Sequence, residues 1–340
     1  MQFLRNRIGL DVTAYYSKGT NQLVTAPIAA SSGYNSLTLN SGSLENKGLE
    51  IQLNGTPVKG KDFTWSSFVN FALNRNKVLS LAPGVNQISI NGFTGTTIAE
   101  LPGQPAGVIY GFGYTRSNGK IVIDDNTGYP LANPNVQEKI GDTNPKFRMG
   151  FGNTFTYKKL SLYGLVDWKF KGDIWNGTRG SLAAIGTSDI TNNRGTNTVF
   201  NGVRGHIDAN GNLVHYDATG NEVAGAGGVN TQSVPLDQAW YQGDGGGFGN
   251  LNEAYIEDGS YVKLREISLS YDLKDLLFGK NTKVIQAFSL GAFARNIIIW
   301  TPYKGIDPET SLTGASTAQG IDYFNNPGVA TFGANLKVKF

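Results

Sequence analysis

Alternation of apolar and polar residues with a period of two dominates this chain and recurs in about eight segments. In the clearest one, Ala330, Phe332, Ala334, Leu336, Val338 and Phe340 alternate with Thr331, Gly333, Asn335, Lys337 and Lys339. Successive side chains of a strand point to opposite faces, so this segment has one apolar and one polar face. The other segments lie within 8–16, 49–54, 63–74, 147–157, 160–170, 261–273 and 288–294. The sequence therefore predicts an all-β chain.

One predicted strand departs from the alternation. Between Tyr261 and Leu273 the pattern is regular from Ile267 onward, but its phase breaks at Arg265–Glu266. One extra residue on one strand shifts the phase of all later positions. The break predicts a β-bulge, or the point at which the strand leaves a membrane.

The links between the predicted strands are alternately short and long. The short ones are 57–62, 158–159 and the stretch around 273–281, and the long ones are roughly 17–47, 77–145, 173–254 and 300–326. Outer-membrane barrels combine short periplasmic turns with long extracellular loops, whereas soluble sandwiches seldom contain structureless loops beyond about 15 residues. We therefore predict an antiparallel, up-and-down transmembrane β-barrel wall that ends at Phe340 on the periplasmic side.

Aromatic residues near the strand ends support a membrane location. They lie on the apolar face, where interfacial girdles are found. These residues are Tyr16, Trp65, Tyr157, Trp168, Phe170, Trp300 and Phe340. Aromatic residues are common in all strands, but together with the alternating loop lengths they favour girdles.

Composition narrows the classes of function. Charged residues make up 16% of the 340 residues, compared with roughly 25% in a typical soluble domain. The formal charge of +3 includes no basic run, which argues against a nucleic-acid partner. The absence of Cys excludes disulfides and thiolate chemistry. No apolar stretch is long enough for a transmembrane helix, and residues 1–10 lack a signal-peptide pattern, so we expect any export signal outside this sequence.

Five segments resemble the carboxy-terminal barrel of the SusC/RagA family of TonB-dependent outer-membrane transporters. They are GSLENKGLEIQL (42–53), IGDTNPKFRMGFGNTFTYKKLSLYG (140–164), AYIEDGSYVKLREISLSYDL (254–273), RNIIIWTPYKGIDPET (295–310) and DYFNNPGVATFGANLKVKF (322–340). They keep the family's order and cover most of the predicted strands. The resemblance implies a barrel of about 22 strands around an amino-terminal plug, of which this chain supplies about eight.

The same resemblance implies a function and partners. Family members import glycans or peptides with energy relayed through TonB, and a SusD-like surface lipoprotein covers their loops. Terminal Phe340 is expected to belong to the signal read by the barrel-assembly machinery. Because the plug, the TonB-contacting segment and the early strands are not in this sequence, we expect residues 1–340 to be the carboxy-terminal part of such a barrel in outer-membrane lipid, without plug or signal peptide.

Two other classes of protein stay open. Eight strands can close a small barrel filled by its own side chains, so an autonomous small barrel or a passive pore is one alternative. A soluble carbohydrate-binding β protein would explain the strands and aromatic residues but not the alternating loop lengths. We expect no enzyme and no cofactor. The carboxylates Asp124, Asp125, Asp307 and Glu309 have no spacing that favours a glycosidase pair.

The two histidines, His206 and His215, flank Asn210–Gly211, a pair typical of two-residue hairpin turns. Such a turn would place the two imidazoles opposite each other. No third ligand is evident, so we predict surface neighbours and no metal site. Asp208, Asn210 and Asn212 have the spacing of a calcium loop, but Leu213 stands where an EF-hand needs Gly. A looser calcium site stays open.

The glycine-rich stretches 221–228 and 242–249 have neither the flanking elements nor the Lys-Ser/Thr pair of a phosphate-binding loop. We predict that both are flexible extracellular loops.

Two sets of residues are candidates for contact with a transported substrate. Aromatic residues in or near the long loops could stack on sugars or grip a peptide: Trp175, Trp240, Tyr241, Trp300 and Tyr303. Basic residues on the polar face are expected to line the lumen or touch the plug: Arg148, Lys169, Arg295, Lys337 and Lys339. Packing within the loops and an ordinary polar wall are the competing explanations.

Overall fold

The computed structural model describes residues 2–3, 7–27, 31, 33–34, 36–93, 95–246, 251–279, 284–314 and 318–340. The strands are β1 Gln2–Phe3, β2 Ile8–Pro27, β3 Ser36–Lys59, β4 Phe63–Ser80, β5 Ile88–Phe93, β6 Thr96–Glu100, β7 Val108–Tyr114, β8 Arg116–Ser117, β9 Lys120–Asp124, β10 Ala132–Asp142, β11 Phe147–Tyr157, β12 Leu160–Phe170, β13 Asp173–Asn176, β14 Asn197–Thr198, β15 Val203–Ile207, β16 Leu213–Tyr216, β17 Glu222–Val223, β18 Val234–Pro235, β19 Ile256–Asp258, β20 Tyr261–Asp272, β21 Ala287–Trp300, β22 Ile321–Asp322 and β23 Thr331–Lys339. The helices are α1 Gly177–Ala184, α2 Gln238–Gln242 and α3 Lys274–Phe278, with 3₁₀ turns at Asp189–Asn193 and Asn252–Tyr255.

The largest sheet, called the wall sheet below, has nine antiparallel strands in the order β1-β2-β3-β4-β11-β12-β20-β21-β23. Apart from the two-residue β1, its members are the eight predicted strands. Each predicted strand pairs with the next one along the chain. The all-β, antiparallel, up-and-down architecture predicted from the alternation is therefore confirmed.

One face of the wall sheet is continuously apolar. The strand register places one apolar residue of each of seven strands in a single row: Val12, Ile51, Phe71, Met149, Trp168, Val262 and Trp300. Many side chains of this face are exposed at the protein surface: Val12 is 53% exposed and Phe332 is 73% exposed. Water would oppose an apolar face of this extent, whereas the hydrocarbon of a bilayer accommodates it.

The phase break in β20 is a β-bulge, as predicted. Val166 on β12 lies opposite Leu264, but the preceding Leu165 lies opposite Glu266, so Arg265 is the extra residue. The register toward β21 shifts at the same place, between Leu264 and Glu266. The bulge keeps the residues on both sides of it in phase with the apolar face.

The predicted long link 17–47 is wrong, because most of it extends a hairpin of the wall sheet. β2 has 20 residues and β3 has 24, and they pair as far as Pro27 with Ser36. A membrane-spanning strand needs only about 9–11 residues, so the far part of this hairpin lies beyond the apolar band. Both faces of a strand can be polar there, so the alternation that revealed the wall strands disappears.

The remaining long links are also not structureless. They form a loop layer of small sheets, namely β10-β7-β6-β5, β19-β13-β22, β14-β18 and β17-β16-β15-β9-β8. This layer has its own apolar core, in which Ile98, Ile109, Trp175, Tyr255 and Ile321 are buried. Strands of only a few residues give too little alternation to be recognised, which is why the sequence pattern did not predict them.

The predicted pairing of the two histidines is wrong by one residue. His206 lies opposite Val214, and His215 lies opposite Gly205. Asp208 accepts hydrogen bonds from the backbone N–H of Asn210 at 2.9 Å and of Asn212 at 2.8 Å, which makes the turn longer than two residues. Adjacent positions of a strand point to opposite faces, so the two imidazoles are on opposite sides of the hairpin.

The end of the glycine-rich stretch 221–228 is packed, whereas residues 221–222 and 224–226 are exposed. A Cβ added to Gly227 would lie 2.1 Å from the backbone oxygen of Arg204. The Gly228 N–H donates to the Tyr216 carbonyl at 2.6 Å. Part of the second stretch, residues 247–249, lies outside the described residues.

The wall sheet is open, with β1 and β23 as its edges among the described residues. A small closed barrel, the alternative that the strand count allowed, is therefore wrong for this structure. None of the described helices is long and apolar enough to cross a membrane. Phe340 directly follows β23 and is 75% exposed.

Candidate functional site

The five predicted lumen residues all belong to the polar face of the wall sheet. Arg148 lies directly opposite Lys169, and Arg295 lies opposite Thr331 and Glu266. Lys337 and Lys339 lie opposite Ser289 and Ala287. Of these five, only Lys169 is buried, at 7% exposure.

Charged side chains concentrate on the polar face beside the bulge of β20. We call this group the anchor cluster: Asp167, Lys263, Arg265, Asp307 and Glu309. Lys263 Nζ lies 2.7 Å from Glu309 Oε2 and 3.3 Å from Asp307 Oδ2. Arg265 Nη2 lies 2.5 Å from Asp167 Oδ2 and also pairs with Glu309. The side chain of Lys263 is only 7% exposed, so its ion pairs are screened little by solvent.

The spacing of Lys263 and Arg265 and one tight turn bring the anchor cluster together. The two residues are two positions apart in β20, so both point toward the polar face. From the loop that follows β21, Asp307 Oδ1 accepts the N–H of Glu309 at 3.0 Å and orients the turn. The cluster therefore fastens this loop to the wall sheet.

Glu309 is held as a carboxylate. Burial opposes its ionisation, but hydrogen bonds from Arg265, Lys263 and Tyr261 prevail and lower the pKa of Glu309 to about 2. The Tyr261 hydroxyl donates to Glu309 Oε1 at 2.8 Å. All hydrogen bonds that Glu309 accepts from side chains thus come from one strand of the wall, β20.

A cavity of about 500 Å³ lies between the wall sheet and the loop layer, next to the anchor cluster. Arg148 and Lys169 line it from the wall, and Ser311 lines it from the loop after β21. Among the described residues, neither Arg148 nor Lys169 has a hydrogen bond or an ion pair. The buried Ser311 hydroxyl also has no hydrogen-bond partner there. Three polar side chains of the lining, those of Arg148, Lys169 and Ser311, thus have no hydrogen-bond partner among the described residues.

Four of the five aromatic candidates are not placed to stack on a substrate in this structure. Trp175 is fully buried, and Tyr241 and Tyr303 are exposed by only 7% and 4%. Trp300 lies on the apolar face of the wall sheet, opposite Val262. Trp240 is half-buried and stacks on Tyr129 with the ring centroids 4.9 Å apart. The competing explanation, packing within the loops and anchoring at the apolar face, fits their positions better.

Tyr303 illustrates this structural use. Its hydroxyl donates to Asp322 Oδ2 at 2.5 Å, and Thr178 donates to the other oxygen of the same carboxylate at 3.0 Å. Burial, followed by the charge of Asp322, raises the pKa of Tyr303. The tyrosine therefore stays protonated and joins the loop after β21 to β22.

The sequence pattern missed most of the anchor cluster. The sequence predicts no role for Asp307 and Glu309 beyond that of carboxylates without a favourable spacing, and Asp167 and Lys263 merely lie within two predicted strands. The available signal was the spacing of Lys263 and Arg265, because residues two positions apart in one strand share a face. Within the described part of the chain, no three His, Asp or Glu side chains are arranged to hold a metal ion.

Comparisons with known proteins agree with this architecture. The chain is 28% identical to the TonB-dependent receptor P3 of Formosa agariphila, in an alignment that covers 98% of this chain and 32% of the receptor. It is 26% identical to the TonB-dependent receptor SusC of Bacteroides thetaiotaomicron, covering 99% of this chain and 31% of SusC. The chain thus spans about a third of the length of these curated relatives. No family model matches it.

Solved structures show the same fold. The RagAB peptide transporter matches with a TM-score of 0.66 at 21% identity, over 99% of this chain and 34% of that chain. The RagAB peptide importer in its closed-closed state also matches with a TM-score of 0.66, at 22% identity. The resemblance noted in the sequence is confirmed, because nearly the whole chain is similar to SusC and to other TonB-dependent receptors, and its strands have the fold of an outer-membrane β-barrel wall.

Proposed function

We propose that the chain is the carboxy-terminal part of an importer that takes up glycans or peptides, energised through TonB and covered by a SusD-like lipoprotein. The observation that carries this proposal is the division of the wall sheet into one apolar and one polar face beneath a folded loop layer. An apolar face suits lipid, and a polar face suits a solvated or plugged lumen. Similarity to receptors and transporters supports import and gives no support for catalysis, so we infer no enzymatic role.

Uptake by intact cells tests this function. The gene that encodes the chain is deleted, and growth is measured on a panel of oligosaccharides and on peptide mixtures as single carbon sources. We expect growth to be lost on one class of substrate and restored by the intact gene, but not when TonB is also inactivated. Uptake that continues without TonB would instead identify a passive pore.

The proposed partner has its own test. A tagged form of the full protein is purified from outer membranes in mild detergent, and the proteins that accompany it are identified by mass spectrometry. We expect one surface lipoprotein in a near-equal amount. Recovery of the receptor alone under conditions that keep other membrane complexes intact would contradict the partnership.

We also propose that Phe340 belongs to the assembly signal. It is exposed and, two residues after Val338, continues the apolar face at the end of β23. Deleting Phe340 should lower the amount of folded protein in the outer membrane, as measured by heat-modifiable migration. Val329→Ala, a change at another exposed apolar residue outside the strands, serves as the control.

A further inference from the structure

We propose that Arg148, Lys169 and Ser311 form a binding site for a carboxylate group of the imported ligand. This inference rests on the proposed import function and adds the chemistry that the wall recognises. The site is the cavity of about 500 Å³ between the wall sheet and the loop layer.

The first argument is a pair of adjacent positive charges without ion-pair partners. Arg148 and Lys169 lie directly opposite each other on β11 and β12. Like charges in this position repel each other and destabilise a sheet. Among the described residues no carboxylate forms an ion pair with either of them. An anion bound between the two side chains would remove the repulsion.

The second argument is the way in which Lys169 is held. It is 7% exposed, so its ammonium group has lost most of its hydration. It is attracted by the carboxylates of Glu309, Asp258 and Asp173, but it forms an ion pair with none of them. Gly172, at φ +98°, makes room for it, because a Cβ there would lie 3.0 Å from Lys169 Cε and 2.8 Å from the Thr143 oxygen. The absence of a side chain at Gly172 therefore leaves space for the buried Lys169 side chain beside the cavity.

The third argument concerns the other groups that line the cavity. The Ser311 hydroxyl is buried and has no partner among the described residues, so it is free to donate a hydrogen bond. Glu309 is occupied by Arg265, Lys263 and Tyr261. Asp173 accepts the N–H of Asp142 at 2.8 Å. The third carboxyl group of the lining, Glu100, has no hydrogen bond or ion pair among the described residues, and burial raises its pKa. Two of the three carboxyl groups of the cavity thus have hydrogen-bond partners, whereas the side chains of its two cations do not.

These properties select the chemistry of the ligand. Two charged nitrogen donors and one hydroxyl match the oxygens of a carboxylate, through charge-assisted hydrogen bonds. A neutral sugar or amide would leave both cations without an ion-pair partner. The end of a peptide and a uronic acid both offer a carboxylate, and the probes below separate these sources.

The test uses the full protein that carries this chain, purified from outer membranes in detergent. Binding is measured by saturation-transfer NMR with two matched pairs of probes: N-acetyl-trialanine and its carboxy-terminal amide, and glucuronate and glucose. We expect the acid of at least one pair to bind about tenfold more tightly than its neutral partner. The pair that shows this preference identifies the source of the carboxylate.

Variants assign the preference to the cavity. Arg148→Gln combined with Lys169→Gln should abolish it. Lys120→Gln combined with Lys304→Gln should keep it, because these changes also remove two positive charges but neither residue lines the cavity. Arg148→Lys retains the positive charge and should retain part of the preference for the acid. That result would show that the protein still folds when this position of the wall is changed.

Two results would overturn the inference. Equal binding of acid and neutral probes to the unmodified protein means that the site does not recognise carboxylates. The same result is expected if a carboxylate of the same protein or of its lipoprotein already fills the cavity. A preference that persists in the Arg148→Gln, Lys169→Gln protein places the anion elsewhere. Normal uptake by cells in any of these cases would leave the proposed function intact.

Discussion

Two pairs of basic residues lie on the polar face of the wall sheet, and their surroundings differ. Lys263 and Arg265 have carboxylates at distances of 3.3 Å or less, contributed by β12 and by the loop after β21. Arg148 and Lys169, on neighbouring strands, have no such partners among the described residues. The same residue types therefore fasten a loop in one place and remain available to a ligand in the other.

The largest effect is expected from Glu309→Gln, which keeps the shape of the side chain but removes its charge. Lys263 would keep only Asp307 as an acidic partner. Removing one member of a fully buried ion pair costs roughly 3–5 kcal/mol, but the Glu309 side chain is 26% exposed, so we expect a loss of about 2 kcal/mol. We expect the free energy of local opening of residues 301–314 to fall by this amount in hydrogen-exchange measurements, while β11 and β12 keep their protection. Unchanged exchange would show that the cluster does not hold the loop.

The second-largest effect is expected from lowering the pH, which should weaken the anchor cluster. The pKa of Glu309 is lowered from 4.5 to about 2, so its stabilising effect is complete above pH 4.5 and is lost as the pH falls toward 2. Hydrogen exchange of residues 301–314, corrected for the intrinsic effect of pH, should therefore accelerate over this window. Glu309→Gln should remove the pH dependence, which separates Glu309 from other acids of the loop.

Lys169→Gln should have a small effect of opposite sign. It removes a buried charge that repels Arg148, so we expect thermal stability in detergent to stay equal or to rise by less than about 1 kcal/mol. The unfolding temperature is measured by heat-modifiable migration, without added carboxylates. A clear loss of stability would mean that Lys169 has a structural partner, and the contrast between the two basic pairs would disappear.

The smallest effect is expected from Glu266→Gln. Glu266 pairs with Arg295 at 2.8 Å, but the Arg295 side chain is 52% exposed. Exposed ion pairs contribute roughly 0.2–1 kcal/mol. The change in unfolding temperature should therefore be near the limit of detection and should vanish in high salt. An effect as large as that of Glu309→Gln would show that burial is not what distinguishes the anchor cluster.

Much of the wall could be predicted from the sequence because a strand shows its two faces in its own residues. The eight wall strands, the bulge at Arg265 and the polar position of Arg148 and Lys169 all follow from local alternation. The loop layer could not be predicted in this way. Trp175 looks like a free aromatic residue in the sequence, but Ile98, Ile109 and Ile321, distant in the chain, bury it.

The sequence by itself determined that this protein has strands with one face for lipid and one for a polar interior, because apolar and polar residues alternate along each strand with a period of two. Only the tertiary structure decided which charges are compensated. Asp167, Lys263 and Glu309 are up to 142 positions apart, the difference between 309 and 167, and nothing in their spacing predicts that they meet. Whether a cation is an anchor or a free binding group depends on such long-range contacts, and local patterns do not contain them.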